Sequence, residues 1–184
     1  MWKWIRRCVF YVVTTPFFSI SRRGDPRLLS SAVKARCGNL DLRCAPELAQ
    51  ESPGLFEKIV EAIGLVQEFD ERQFGWIWNE MPKFYVSRDL PTQYWSLQET
   101  CVLNALKVAS GTKADIALSI IHEATHARLC RSGVYAWPDI RERIEAVCVR
   151  REIRFLRRLD NAGWRVEARL DYSNTLLKRL GDSR

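Results

Sequence analysis

The stretch Ile121-His122-Glu123-Ala124-Thr125-His126-Ala127-Arg128-Leu129 sets two histidines four residues apart, with a glutamate directly after the first. Around it, Ile116, Leu118, Ile120, Ile121 and Leu129 supply apolar bulk from Thr112 to Cys130, and Ser132-Gly133 provides a stop. The segment is therefore expected to be a helix. Histidines four apart on a helix project from one face about a turn apart, so both rings can reach a single metal ion. Glu123 projects about 100° further round the helix, where it need not ligate and can instead act on a water. The chain contains only two histidines, and both lie in this HExxH pattern.

A zinc site that does chemistry wants a third protein ligand and an open position. No third histidine exists, and the longer pattern with a further Gly and His fails at Leu129 and Ser132. The third ligand must then be a carboxylate or a cysteine. Asp139, Glu142, Glu145 and Cys148 follow in Asp-Ile-Arg-Glu-Arg-Ile-Glu-Ala-Val-Cys. Glu145 stands at the edge of an apolar face, beside Ile144, Ala146 and Val147, where an unpaired carboxylate is costly. That argument favours Glu145, with Glu142 its rival. Glu142 and Glu152 have nearby arginines to satisfy them, and Cys130 and Cys148 read as small packing residues.

HExxH, a short connection and a helix bearing Glu-Ala resemble the gluzincin branch of the zinc metallopeptidases. More loosely they resemble bacterial metallopeptidases that cleave phage repressors, and small bacterial proteins with a His-Glu-Ala-Thr-His-Ala core. The resemblance covers about residues 98–160. It implies His122, His126 and Glu145 as zinc ligands and Glu123 as general base in peptide-bond hydrolysis. It also implies an edge strand beside the cleft, for which Thr100 to Val108 is the segment in place. Tyr135 can be read either as a donor to the oxyanion of the transition state or as an aromatic stacked with Trp137. The Asn-Glu-x-x-Ser-Asp signature of the thermolysin type is absent from Arg143 to Val149.

Further out, Asp25-Pro26 predicts a helix to Cys37 ended by Gly38-Asn39, and Ser52-Pro53 another to about Asp70. Lys83 to Ser87 and Thr100 to Val108 lean towards strand. Asp139 to Leu159 predicts a long Arg-rich helix and Trp164 to Leu180 a last one. The expected fold is a single α+β, zincin-like domain over residues 25–184, mostly helical, with a small sheet preceding the HExxH helix.

The 184 residues carry a net charge of +7, unevenly spread. Residues 1–36 hold eight Lys or Arg against the single acid Asp25; residues 37–138, which contain the motif, hold nine bases against thirteen acids. Basicity therefore sits at the ends, and the basic, partly apolar segment 1–24 suits peripheral membrane contact, a short signal-like core or a buried element equally. Its apolar run from Cys8 to Ile20 is 13 residues, against about 20 needed to span a bilayer. Six cysteines without a CxxC pair read as mostly reduced, in a cytoplasmic protein. The expected partner is a peptide or protein substrate rather than a nucleic acid. Two alternatives are an inactive metal-binding scaffold and a basic membrane- or nucleic-acid-binding protein with an incidental HExxH.

Overall fold

A computed structural model describes residues 32–134 and 140–182. The predicted helix start at Asp25-Pro26, the segment 1–24 and Tyr135 lie outside them.

Five strands form one mixed sheet in the order β1-β2-β3-β5-β4. β1 (Val33–Cys37) and β2 (Leu40–Cys44) make an antiparallel hairpin, β2 and β3 (Lys83–Ser87) run parallel, and β3 runs parallel to β5 (Thr100–Asn104). β4 (Gln93–Trp95) pairs antiparallel with β5 and forms an edge. Register aligns Ala35, Leu42, Phe84, Cys101 and Tyr94 in one row across the sheet. All of these but the partly buried Tyr94 are buried members of the apolar core.

The hairpin corrects the helix expected to run to Cys37. Gly38-Asn39 was a plausible helix stop, but Gly38 at φ 59° here closes a two-residue hairpin loop between the paired Cys37 and Leu40. The alternation of buried Leu40, Leu42 and Cys44 with Asp41 and Arg43 is the period of a strand. A second correction concerns Thr100 to Val108. The strand ends at Asn104, whose side chain accepts from the N–H groups of Leu106 and Lys107 at 3.1 and 3.2 Å. That cap starts a short helix in place of further strand.

The helices are α1 (Pro46–Glu51), α2 (Leu55–Phe69), α3 (Glu71–Glu80), α4 (Ala105–Ser110), α5 (Lys113–Arg131), α6 (Arg141–Asn161) and α7 (Glu167–Asp182). α2, α5, α6 and α7 fall close to their expected spans. α3 was not anticipated; Asp70 ends one helix and caps the next, accepting from Gln73 N–H at 3.1 Å.

α5 carries the HExxH pattern and sits at the centre, touching α2, α3, α4, α6, β4 and β5. It buries Ile116, Ala117, Leu118, Ile120, Ile121, Ala124 and Ala127, so its apolar surface wraps well beyond a single stripe, as in an interior helix. Both its ends are fixed. Thr112 and Asp115 form a capping box, with Thr112 Oγ1 accepting from Asp115 N–H at 3.2 Å and Asp115 Oδ2 from Thr112 N–H at 3.1 Å. At the other end Gly133, at φ 78°, and Val134 donate to Cys130 and Leu129 carbonyls at 3.0 and 2.9 Å, closing a Schellman turn. Among the described residues no helix is long and apolar enough to cross a membrane. Cys44, Cys101, Cys130 and Cys148 are free thiols, in keeping with the mostly reduced reading, and Cys37 is disulfide-bonded.

Gly111 joins α4 to α5, and a Cβ there would stand 2.4 Å from the Lys107 carbonyl oxygen. Gly111→Ala is therefore expected to destabilise the domain by about 1–3 kcal/mol through forced backbone movement at this junction. A fall in the urea midpoint at unchanged slope checks it, and an unshifted midpoint contradicts it.

Candidate metal centre

The two histidines of α5 face α6, which packs along it. Their ring centroids lie 5.0 Å apart, and the two Nε2 atoms are 3.2 Å apart. From α6, Glu145 brings Oε2 to 3.2 Å from His122 Nε2 and Oε1 to 3.6 Å from His126 Nε2. Ligands 2.0–2.2 Å from a tetrahedral zinc are separated from one another by about 3.4 Å. The observed 3.2, 3.2 and 3.6 Å are close to that spacing, the two Glu145 contacts being made by different oxygens of the one carboxylate, so the two imidazoles and this carboxylate together could take a divalent cation.

A further carboxylate completes the arrangement. Glu152 Oε1 lies 2.6 Å from His122 Nδ1. That contact sets His122 with its Nδ1–H donating to Glu152 and its Nε2 turned towards Glu145 and His126, where a metal ion would take the place of the Nε2 proton. Sequence reasoning assigned Glu152 to neighbouring arginines, and the structure corrects this. Arg151 stands 5.0 Å over the Trp76 ring, Arg150 donates to the Ala146 carbonyl at 3.0 Å, and Arg158 pairs with Asp70 at 2.6 Å. The available signal was spacing: residues 145, 148 and 152 lie on one helical face.

Glu142, the rival third ligand, is exposed, while Glu145 is half-buried and directed at both imidazoles. Cys148 joins the cluster, with its sulfur within 4.8 Å of ligand atoms of both histidines. Cys148 is fully buried, as the packing role expected from the sequence requires, and its sulfur also faces the histidine pair.

The electrostatics reflect this crowding. Burial pulls the His122 imidazole down, but Glu145 and Glu152 outweigh it and hold it at about 10. His126 is lowered by burial and by the charge of His122. Glu145 is lowered, chiefly by its hydrogen bond from His122. Glu123, 5% exposed, is pushed up to about 7 by burial, against the charge of His122 and a main-chain hydrogen bond from Tyr94 of β4. Its carboxyl therefore lies between the histidine pair and the edge strand.

One cavity opens along the same helix, with a volume of about 330 Å³. Leu103, Val108 and Ile116 line it together with Lys107, Arg169 and Ser119, the last one turn before His122.

No protein-family model matches the chain, no curated protein matches its sequence, and no solved structure matches its fold.

Glu145→Ala is expected to weaken zinc binding by tenfold or more, in line with the 10–100-fold cost of losing even an outer partner of a metal site, and Glu142→Ala to leave it unchanged. Competition with a chromophoric chelator ranks the two variants; the reverse order would misassign the ligand. A proton on His122 competes with the metal. Because His122 is held up at about 10, it is protonated in the metal-free protein below that value. Zinc affinity is therefore expected to rise as pH is raised through neutrality, and a flat profile in the same titration would contradict this.

Proposed function

We propose that the chain is a zinc-dependent hydrolase of zincin type, acting on peptide bonds in a peptide or protein substrate. The observation that supports this most strongly is the set of 3.2–3.6 Å separations among His122, His126 and Glu145, backed by Glu152 behind His122. Three protein donors leave one tetrahedral position open, which distinguishes a hydrolytic site from a structural one. The resemblance of the HExxH stretch and its following Glu-Ala helix to gluzincins points the same way.

His122, His126 and Glu145 would hold the metal. Zinc, when bound, supplies Lewis acidity to a scissile carbonyl and to an attacking water. Glu123 would take a proton from that water and pass it to the leaving nitrogen, so that the C–N bond breaks as the amine is protonated. Its elevation to about 7 by burial suits a group that must both accept and release a proton near neutrality.

The edge strand beside the site is β4, not the expected Thr100 to Val108, since β5 lies inside the sheet between β3 and β4. Among the described residues no strand pairs with the outer side of β4, which suits main-chain pairing with an extended peptide. The cavity lined by Leu103, Val108 and Lys107 is the natural place for a substrate side chain with an apolar stem.

Glu123→Gln is expected to keep the metal and the fold while lowering peptide hydrolysis by a hundredfold or more. Mass-spectrometric digestion of a mixed peptide library, alongside metal analysis of the same variant, checks both halves. Loss of zinc as complete as in His122→Ala would make Glu123 a ligand instead.

A further inference from the structure

The face of α6 that meets the two histidines carries three candidate donors rather than two: Glu145, then Cys148 one turn on, then Glu152. Glu145 and Glu152 have their partners in His122 and His126. Cys148 lies between them, is 0% exposed and forms no disulfide. Phe155, Leu156 and Leu159 of the same helix belong to the main apolar core, whereas Cys148 is buried beside Ile144 and Val149 outside it. Its sulfur instead comes within 4.8 Å of ligand atoms of both histidines.

The geometry points to Cys148 as a fourth ligand of the metal centre, a thiolate that occupies the open position in the resting protein. This rests on the reading of His122, His126 and Glu145 as a metal site. A zinc–sulfur distance of 2.3 Å with zinc–nitrogen at 2.0–2.1 Å separates sulfur from nitrogen by about 3.5 Å. From an upper bound of 4.8 Å, an approach of about 1 Å brings the sulfur into that shell. As the metal–sulfur bond forms, the thiol proton leaves to solvent and the metal is neither oxidised nor reduced.

Two consequences follow. A soft thiolate in the set favours zinc or cobalt over the hard cations magnesium, calcium and manganese. Four protein donors also close the centre, so water enters only when the sulfur withdraws.

The test uses the full chain, stripped of metal and reconstituted with Co²⁺ as an optical stand-in for zinc. The expected spectrum shows a near-ultraviolet thiolate-to-cobalt charge-transfer band beside the visible bands of tetrahedral cobalt. Cys148→Ser should abolish the charge-transfer band, retain bound cobalt and weaken zinc affinity by about tenfold. Cys101→Ser should change neither. Stoichiometric cobalt in the unaltered protein without a thiolate band would overturn the proposal while leaving the three-ligand site standing. A band that survives in Cys148→Ser would overturn it likewise. Failure of the unaltered protein to bind cobalt or zinc would overturn the metal centre itself, and this proposal with it.

Discussion

Everything at the candidate site depends on how α5 is buried. A helix touching four other helices and two strands must present apolar side chains in most directions, and α5 does so with Ile116, Ile120, Ile121, Ala124 and Ala127. Two histidines and a glutamate on such a helix are taken largely out of water. Polar groups so placed are costly unless each finds a partner. α6 supplies the partners: Glu145 lies across from both Nε2 atoms and Glu152 behind His122. The packing of two helices and the chemistry of the cluster are one constraint seen from two sides.

The cluster carries more negative charge than the histidines can balance. Glu123, Glu145 and Glu152 surround a pair of imidazoles that cannot both be protonated at 3.2 Å, and the opposite displacement of His122 and His126 expresses that conflict. Burying an incompletely compensated set of charges costs several kcal/mol by general experience. A divalent cation between the three donors would remove the conflict, since it would satisfy the lone pairs of both rings and the Glu145 carboxylate together.

Much of this was legible in the sequence where a local signal was strong. The HExxH helix, its Ser132-Gly133 stop, the Lys83 to Ser87 strand and the inward position of Glu145 against the exposed Glu142 all rest on periodicity, turn chemistry or the cost of an unpaired carboxylate. Glu152 was missed because an Arg-rich helix seemed to offer nearer partners. Those arginines turn elsewhere, Arg151 to Trp76 and Arg158 to Asp70, a matter of helix rotation that no local window contains. The β1–β2 hairpin was misread because Gly38-Asn39 ends a helix as readily as it closes a hairpin. Only the pairing of Leu42 with Ala35 on one side and Phe84 on the other decides between them. β4 was invisible because three residues are too few to show a period.

That brevity has its own physical effect. An exposed strand edge is an invitation to unwanted pairing between copies of a protein, and the hazard grows with its length and flatness. At three residues β4 runs about 10 Å, room for very few main-chain hydrogen bonds. The sheet's other terminal strand, β1, bears Lys34 and Arg36, whose like charges repel a second copy. The sheet is thus guarded at one end by shortness and at the other by charge, and the fold carries its own protection against growing into a fibre.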